Sequence, residues 1–405
     1  FESLQGRHYK KMIISEKIDG FMDESSWIRK MFEEGLELKN KFGSENVFDF
    51  SLGNPVIDPP EKFLDALSTI SLKSAPGIHS YMQNAGFTNT RKVLSKKISG
   101  ESESSLSSDD IIMTSGAAGA INVILHSILN PDEEVIILKP FFPEYKFYVD
   151  NHGGKAIYCN FEENFLPSLE HLEKLISKKT KAIIYNSPNN PTGVTYSEEF
   201  LNKMVNIVNK KENIYDSNIF IISDEPYRYL EYEDIKQPFI FDLHPTGIVA
   251  SSFSKDLSLA GERIGFIAVS PMMPFKKKII SALTFSNRTL GFVNAPAIAQ
   301  RLVEASISSL IDKKKYLRKR DLLLKALIQF GYDIVKPTGA FYLFPKSPID
   351  DDISFVSYLK EENILVVPGS GFGAPGYFRI SYSVEDEVIL NSLEGFKRAL
   401  NKFKS

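Results

Sequence analysis

Cysteine is nearly absent: the 405 residues hold one, Cys159. That excludes an internal disulfide framework and a cysteine-based metal cluster, and it suits a reducing cytoplasm. There is no excess of positive charge either. The formal net charge is −3, so no basic field exists to recruit nucleic acid or anionic lipid. No apolar run approaches the roughly 18 residues of a membrane span, and no internal repeat is visible. The opening residues "FESLQGRHYKKM" hold no apolar signal core, and Met12 is the expected natural start. What is present is an ordinary globular balance, 43% hydrophobic and 24% charged, in a chain long enough for one large α/β domain plus a smaller one.

From about Ile111 to Val269 short β-rich runs alternate with helical patterns. The strand candidates are "DIIMT", "EVIIL", "KAIYC", "KAIIYN", "IFIISDE", "GIVASSF" and "RIGFIAV". Several are apolar almost throughout, as strands buried on both faces of a mostly parallel sheet are. Between them "GAAGAINVILHSIL", "SLEHLEKLIS" and "SEEFLNKMVNIVNK" carry apolar residues at helical spacing. The order argues for an α/β domain with a seven-stranded sheet flanked by helices. A helical pattern then runs from Ala297 to Phe330, followed by "AFYLFP", the helix-like "DISFVSYLKEEN", "ILVVPG", "YFRISYS" and a closing helix. That reads as a smaller α+β domain. The expected division is 12–55, a segment packing with the small domain, then 56–296 and 297–405. Ser99 to Asp110 reads as a polar surface loop without chemistry.

One Gly-rich stretch, "PGSGFGAPG" (Pro368 to Gly376), is a decoy. It lacks G-x-G-x-x-G spacing and leads into a strand, whereas a dinucleotide fingerprint needs a helix N-terminus there. The chemistry lies instead at strand ends, where ligands bind in open α/β sheets. After "DIIMT" comes "SGAAGAIN", small residues that open a helix whose free N–H groups can hold a phosphate. After "KAIIYN" comes the turn cluster "SPNNPTG". After "IFIIS" comes "DEPYRYL", an acid at the end of a buried strand, costly unless paired. The last strand end opens "SSFSKDLSLAGERIGF". Each stretch alone also reads as an ordinary loop or turn. Together they supply a lysine, a carboxylate, hydroxyl and amide donors and an anion cradle, the needs of a pyridine cofactor acting as an electron sink.

"SPNNPTG", "SDEPY" and "SFSK…GERIG" together resemble the pyridoxal-phosphate-dependent aminotransferases of fold type I, the class I/II family of aspartate, aromatic and related aminotransferases. The resemblance runs from "FDFSLGNP" to the C-terminal helix. It implies pyridoxal 5′-phosphate as cofactor. It implies that Lys255 forms the imine with the cofactor and moves the proton, that Asp224 holds the pyridine nitrogen, and that Tyr227 and Asn190 bond its phenolic oxygen. Arg263 and Ser252, assisted by Ser254, match the phosphate site, with Ala117 and Ala118 as a backbone cradle. The family often has a side-chain donor at that cradle, so here N–H groups act alone. Phe142 in "KPFFPEY" sits where the family stacks a ring on the cofactor; with 30 Phe in the chain, position rather than type carries this. Tyr81 in "HSYMQNAG" resembles the tyrosine that reaches the neighbouring subunit's phosphate, which implies a homodimer with shared sites.

For substrate, Arg379 in "YFRISYS" matches the α-carboxylate arginine, and Gly53 in "SLGNP" the loop that closes over it. Asn190 also matches on the substrate side. A second arginine for dicarboxylates is not assured: Arg288 in "SNRTLGFVNAP" lies in roughly the right region, a structural role for it is at least as well supported, and Asn287 and His126 are weaker still. The implied function is transfer of an amino group from an L-amino acid to a 2-oxo acid such as 2-oxoglutarate, by ping-pong chemistry in the cytoplasm. The same residues also serve a lyase on this scaffold, of the carbon–sulfur β-lyase or cyclopropane-forming type. A third alternative, a non-catalytic cofactor-binding regulator, finds no helix-turn-helix extension or basic tail.

Overall fold

The computed structural model describes residues 14–24, 26–72, 79–309 and 311–404. Met12 lies outside them. The chain first contributes β1 (Phe48–Asp49). The large sheet follows: β2 (Ile111–Thr114), β3 (Glu134–Leu138), β4 (Lys155–Cys159), β5 (Thr180–Asn186), β6 (Phe220–Asp224), β7 (Gly247–Ser252) and β8 (Gly265–Val269). Their spatial order is β2-β8-β7-β6-β5-β3-β4. All pairings are parallel except those of β8, which runs antiparallel to β2 and β7. All seven runs expected as strands are strands, and the expected α/β architecture is the one observed.

Alternation explains why these strands are apolar on both faces. Ile111, Met113, Ile136, Ile183, Ile221 and Val249 enter one buried cluster with residues of the helices Thr88–Glu101 and Glu198–Tyr215. Their neighbours Ile112, Val135, Ile137, Ile184, Ile222 and Ile248 enter another, beneath the helices Gly116–Ile128, Glu144–Asn151 and Lys276–Thr289. The parallel strands thus point their carboxyl ends to one rim.

A third cluster joins Phe50, Tyr227 and Leu230 to residues from Ile311 onward. It takes in residues of β9 (Tyr342–Leu343), β10 (Ile364–Leu365) and β12 (Phe378–Ser381), while β11 (Val367–Pro368) lends Val367 to the first cluster. β11, β12 and β9 form an antiparallel sheet, while β10 pairs in parallel with β1. The stretch "ILVVPG" therefore divides between two sheets. The helical run expected from Ala297 to Phe330 also divides, into Ala297–Ser306 and Lys313–Phe330. The Asp312 carboxylate accepts from the Lys314 N–H at 3.0 Å and caps the second helix. The expected loop from Ser99 to Asp110 begins inside the helix Thr88–Glu101 and ends in a 3₁₀ turn, Ser108–Asp110. Asp110 accepts from the Ser107 N–H at 2.8 Å and pairs with Lys276 at 2.8 Å, so it is a buried structural group rather than a surface one.

Candidate active site

Above the rim lies a cavity of about 290 Å³. Its walls include Gly53, Ala117, Ala118, Phe142, Asn190, Asp224, Tyr227, Ser252, Ser254, Lys255, Arg263 and Arg379. Every site residue expected from sequence lines it except Tyr81, which is 91% exposed and stands apart from this chain's cavity. Arg288 is exposed and also outside, its guanidinium 5.3 Å from the Phe285 ring centre. Asn287 is buried and donates to the Asn84 carbonyl at 3.0 Å, a structural role. His126 lies beside His152, with Nδ1 atoms 3.3 Å apart, in a separate surface cleft.

The floor is set by β6. Its last residue, Asp224, is buried, and burial raises its carboxyl to a pKa of about 7. One oxygen, Oδ2, accepts a hydrogen bond from the Tyr145 hydroxyl, which favours the charged form. The other, Oδ1, is buried without a hydrogen-bond partner. Beside it, Asn186 donates to the Asp224 carbonyl at 2.8 Å and accepts from the Asn190 N–H at 2.6 Å, so the ends of β5 and β6 are clamped to the "SPNNPTG" turn.

At one end of the cavity the helix Gly116–Ile128 begins without a side-chain cap, leaving its first N–H groups for a ligand. Gly116 has φ +74°, and a Cβ there would lie 2.9 Å from an Arg263 guanidinium nitrogen. Glycine thus lets the guanidinium rest against the helix start. Ser252 ends β7, and Lys255 follows three residues later. The Lys255 amine is driven down to about 8, first by burial and then by Arg379 and Arg263. It donates to the Gly53 carbonyl at 2.5 Å.

At the other end, β12 presents Arg379, buried and with its pKa lowered by desolvation. It donates to the Asn190 side-chain oxygen at 2.9 Å and the Ser51 carbonyl at 2.5 Å, while its Nε has no partner. Its guanidinium lies 4.8 Å from the Tyr342 ring centre. The Tyr342 and Tyr227 hydroxyls are 2.8 Å apart. The sequence reading missed Tyr145, Tyr342, Asn186, Glu144, Tyr148 and Ser51. Of these, Asn186 alone had a signal, as a polar residue closing an apolar strand before a turn.

A mostly parallel sheet whose carboxyl ends gather a desolvated lysine, a buried acid, an uncapped helix start and two arginines defines a fold type I transferase. The chain belongs to the class I and II aminotransferase family: the model of that family, described as aminotransferase class I and II, matches residues 45–396. By that membership it is an aminotransferase. A solved amino transferase from Eubacterium rectale superposes with a TM-score of 0.94 at 35% identity, over 98% of this chain and all (100%) of that one. A (5-formylfuran-3-yl)methyl phosphate transaminase from Methanocaldococcus jannaschii is 34% identical, covering 91% of this chain and 95% of the relative. An aspartate/prephenate aminotransferase from Thermus thermophilus is 31% identical, over 91% and 94% of the two chains.

Proposed function

We propose that the protein uses pyridoxal 5′-phosphate to move an amino group from an L-amino acid to a 2-oxo acid, with 2-oxoglutarate as acceptor, in two half-reactions. The observation that carries this is the unpartnered Asp224 Oδ1 on the floor of the cavity that Lys255 also lines. A protonated ring nitrogen would satisfy that oxygen, and the residues around it fit the rest of the group. Arg263, Ser252, Ser254 and the Ala117 and Ala118 N–H groups would hold the phosphate. Tyr227 and Asn190 would hold the phenolic oxygen, and Phe142 would cover a ring face. When bound, the cofactor delocalises the electron pair left at an amino acid's α-carbon.

The chain's own groups do the remainder. Arg379 grips the α-carboxylate. The Lys255 amine, near 8, is about a tenth neutral at pH 7 and carries a proton on Nζ to and from the α-carbon. The Ser51–Gly53 stretch closes over the carboxylate and excludes water. We further propose a homodimer in which Tyr81, exposed here, reaches the phosphate in the second subunit. The single cysteine supports a cytoplasmic setting. We keep the division at 55, because Phe50 shares its core with residues from Ile311 onward and β1 pairs with β10, and move the expected one at 296 to about 310, because Ala299, Leu302, Val303 and Ile307 pack into the core of the large sheet.

The test mixes the loaded enzyme with amino acids, alone and with 2-oxoglutarate. Amino transfer leaves the cofactor in a stable amine form that a 2-oxo acid reverses. Release of ammonia or pyruvate with return to the starting spectrum would place the protein among the lyases instead.

A further inference from the structure

The cavity contains an acid to which none of these roles falls. Glu144 opens the helix Glu144–Asn151 and lines the cavity, two residues after Phe142. Its Oε2 is buried without a hydrogen-bond partner. Burial raises its pKa, opposed by its own N–H and by Arg379. Arg379 faces it from β12 and Tyr148 from its own helix; Lys255, Arg263 and Asp224 line the same cavity. Among the described residues the cavity's cations are Lys255, Arg263 and Arg379. Each has a task in the proposed function, and Arg288 stands outside. A second carboxylate on a substrate therefore finds no free cation from this chain, yet it finds an unpaired carboxyl group.

We propose that Glu144 reads the substrate's side chain, accepting a hydrogen bond from an amide, hydroxyl or amine as a carboxylate and donating one to a distal carboxylate as a neutral carboxyl. This rests on the reading of Arg379 as the α-carboxylate anchor. It explains how one cavity takes a dicarboxylic acceptor and neutral amino donors without a second arginine. Two carboxylates left face to face repel, whereas a shared proton turns the contact into a hydrogen bond. Binding of a dicarboxylate then costs a proton from solvent, and binding of its amide does not.

The test uses glutarate and its monoamide glutaramate, which have the same shape and undergo no reaction. Each is titrated calorimetrically into the cofactor-loaded protein at pH 8, in two buffers of different ionisation enthalpy. Proton uptake shared through Lys255 or Asp224 appears with both ligands and cancels in the difference. The expected result is about one more proton taken up with glutarate than with glutaramate, and a glutarate affinity that falls about tenfold per pH unit relative to glutaramate. In Glu144→Gln the difference disappears. Equal uptake by wild type with both ligands, a difference that persists in Glu144→Gln, or failure to bind either ligand overturns the proposal. The wild-type comparison decides alone if the variant does not fold. Absence of amino transfer alongside the expected uptake would refute the function and leave the role of Glu144 standing.

Discussion

Tyr145→Phe is the most informative single change, because it removes one hydroxyl from one oxygen of Asp224 and leaves the packing volume. In the wild type that hydroxyl is the group opposing the rise of the Asp224 pKa, which burial carries to about 7. A hydrogen bond to a charged group contributes roughly 1.5–3 kcal/mol, and each pKa unit is about 1.4 kcal/mol. Its loss moves Asp224 up by roughly 1–2 units. At pH 7 the carboxylate fraction falls from about half to roughly 1–10%, so affinity for a cofactor that needs the ionised acid drops about 5- to 50-fold. The assay is equilibrium titration of the apoprotein with pyridoxal 5′-phosphate from pH 5.5 to 9.5, read as the ratio of variant to wild-type dissociation constants. Titrations of Lys255 and of the phosphate are common to both proteins and cancel. The ratio should be largest at or below neutral pH and shrink toward pH 9.5. A ratio constant across the range would show a mere packing defect and refute the electrostatic reasoning.

Lys255→Ala should abolish the characteristic visible absorbance of the loaded enzyme and lower the rate by more than the roughly 10²–10⁴ typical of one general base, because the covalent anchor goes too; near-normal turnover would remove Lys255 from the chemistry. Gly53→Ala places a methyl against the Tyr342 hydroxyl, which also meets Tyr227. Overpacking of about 1–3 kcal/mol should appear as a lower Tm, and an unchanged Tm would mean that the loop shifts without cost. Asp256→Asn probes a different buried acid, raised by burial from 3.8 to about 7 and with Oδ1 unpartnered. The folded state holds that proton more tightly than the unfolded state, so the wild type loses stability as pH rises from about 4 to 7. The variant should exceed wild type by about 1–3 kcal/mol at pH 8, with the gap closing below pH 4; an equal or lower denaturation midpoint at pH 8 would count against it.

What the sequence made legible is what local pattern encodes. The strands of the large sheet were readable because burial on both faces makes apolar runs bounded by turn residues. Cavity residues such as Asp224 and Lys255 were readable because they stand at a fixed step from a strand end: Asp224 closes β6, and Lys255 follows β7. Contacts across the chain were not. Tyr145 meets Asp224 from 79 positions away, and "FPEY" reads as the start of an ordinary helix. Tyr342 meets Tyr227 from 115 positions away, on a strand whose pattern gives a face but not a neighbour. The break after Ser306 was signalled only by Asp312, a good N-cap inside an unbroken helical periodicity. The division of "ILVVPG" between two sheets depends on where β1 and β12 lie, which periodicity does not contain.

The same kind of long-range meeting bears on how the proposed function would load the site. Lys255 follows a strand of the large sheet and Arg379 lies on a strand of the C-terminal one, yet both donate to one short stretch, to Gly53 and Ser51 respectively. Each bond is charge-assisted and contributes roughly 1.5–3 kcal/mol. On the proposed function, substrate and cofactor would take the same two cations, so loading the site would exchange those bonds rather than add to them. Arg379 also has an unpartnered Nε, a donor position that a carboxylate can take before Ser51 is released. Carboxylate capture can therefore begin on the free nitrogen and finish by displacing the backbone carbonyl. On that reading the Ser51–Gly53 stretch would be released to settle over a ligand only when both cations had found other partners, which would tie closure to full occupancy of the site through two carbonyl oxygens.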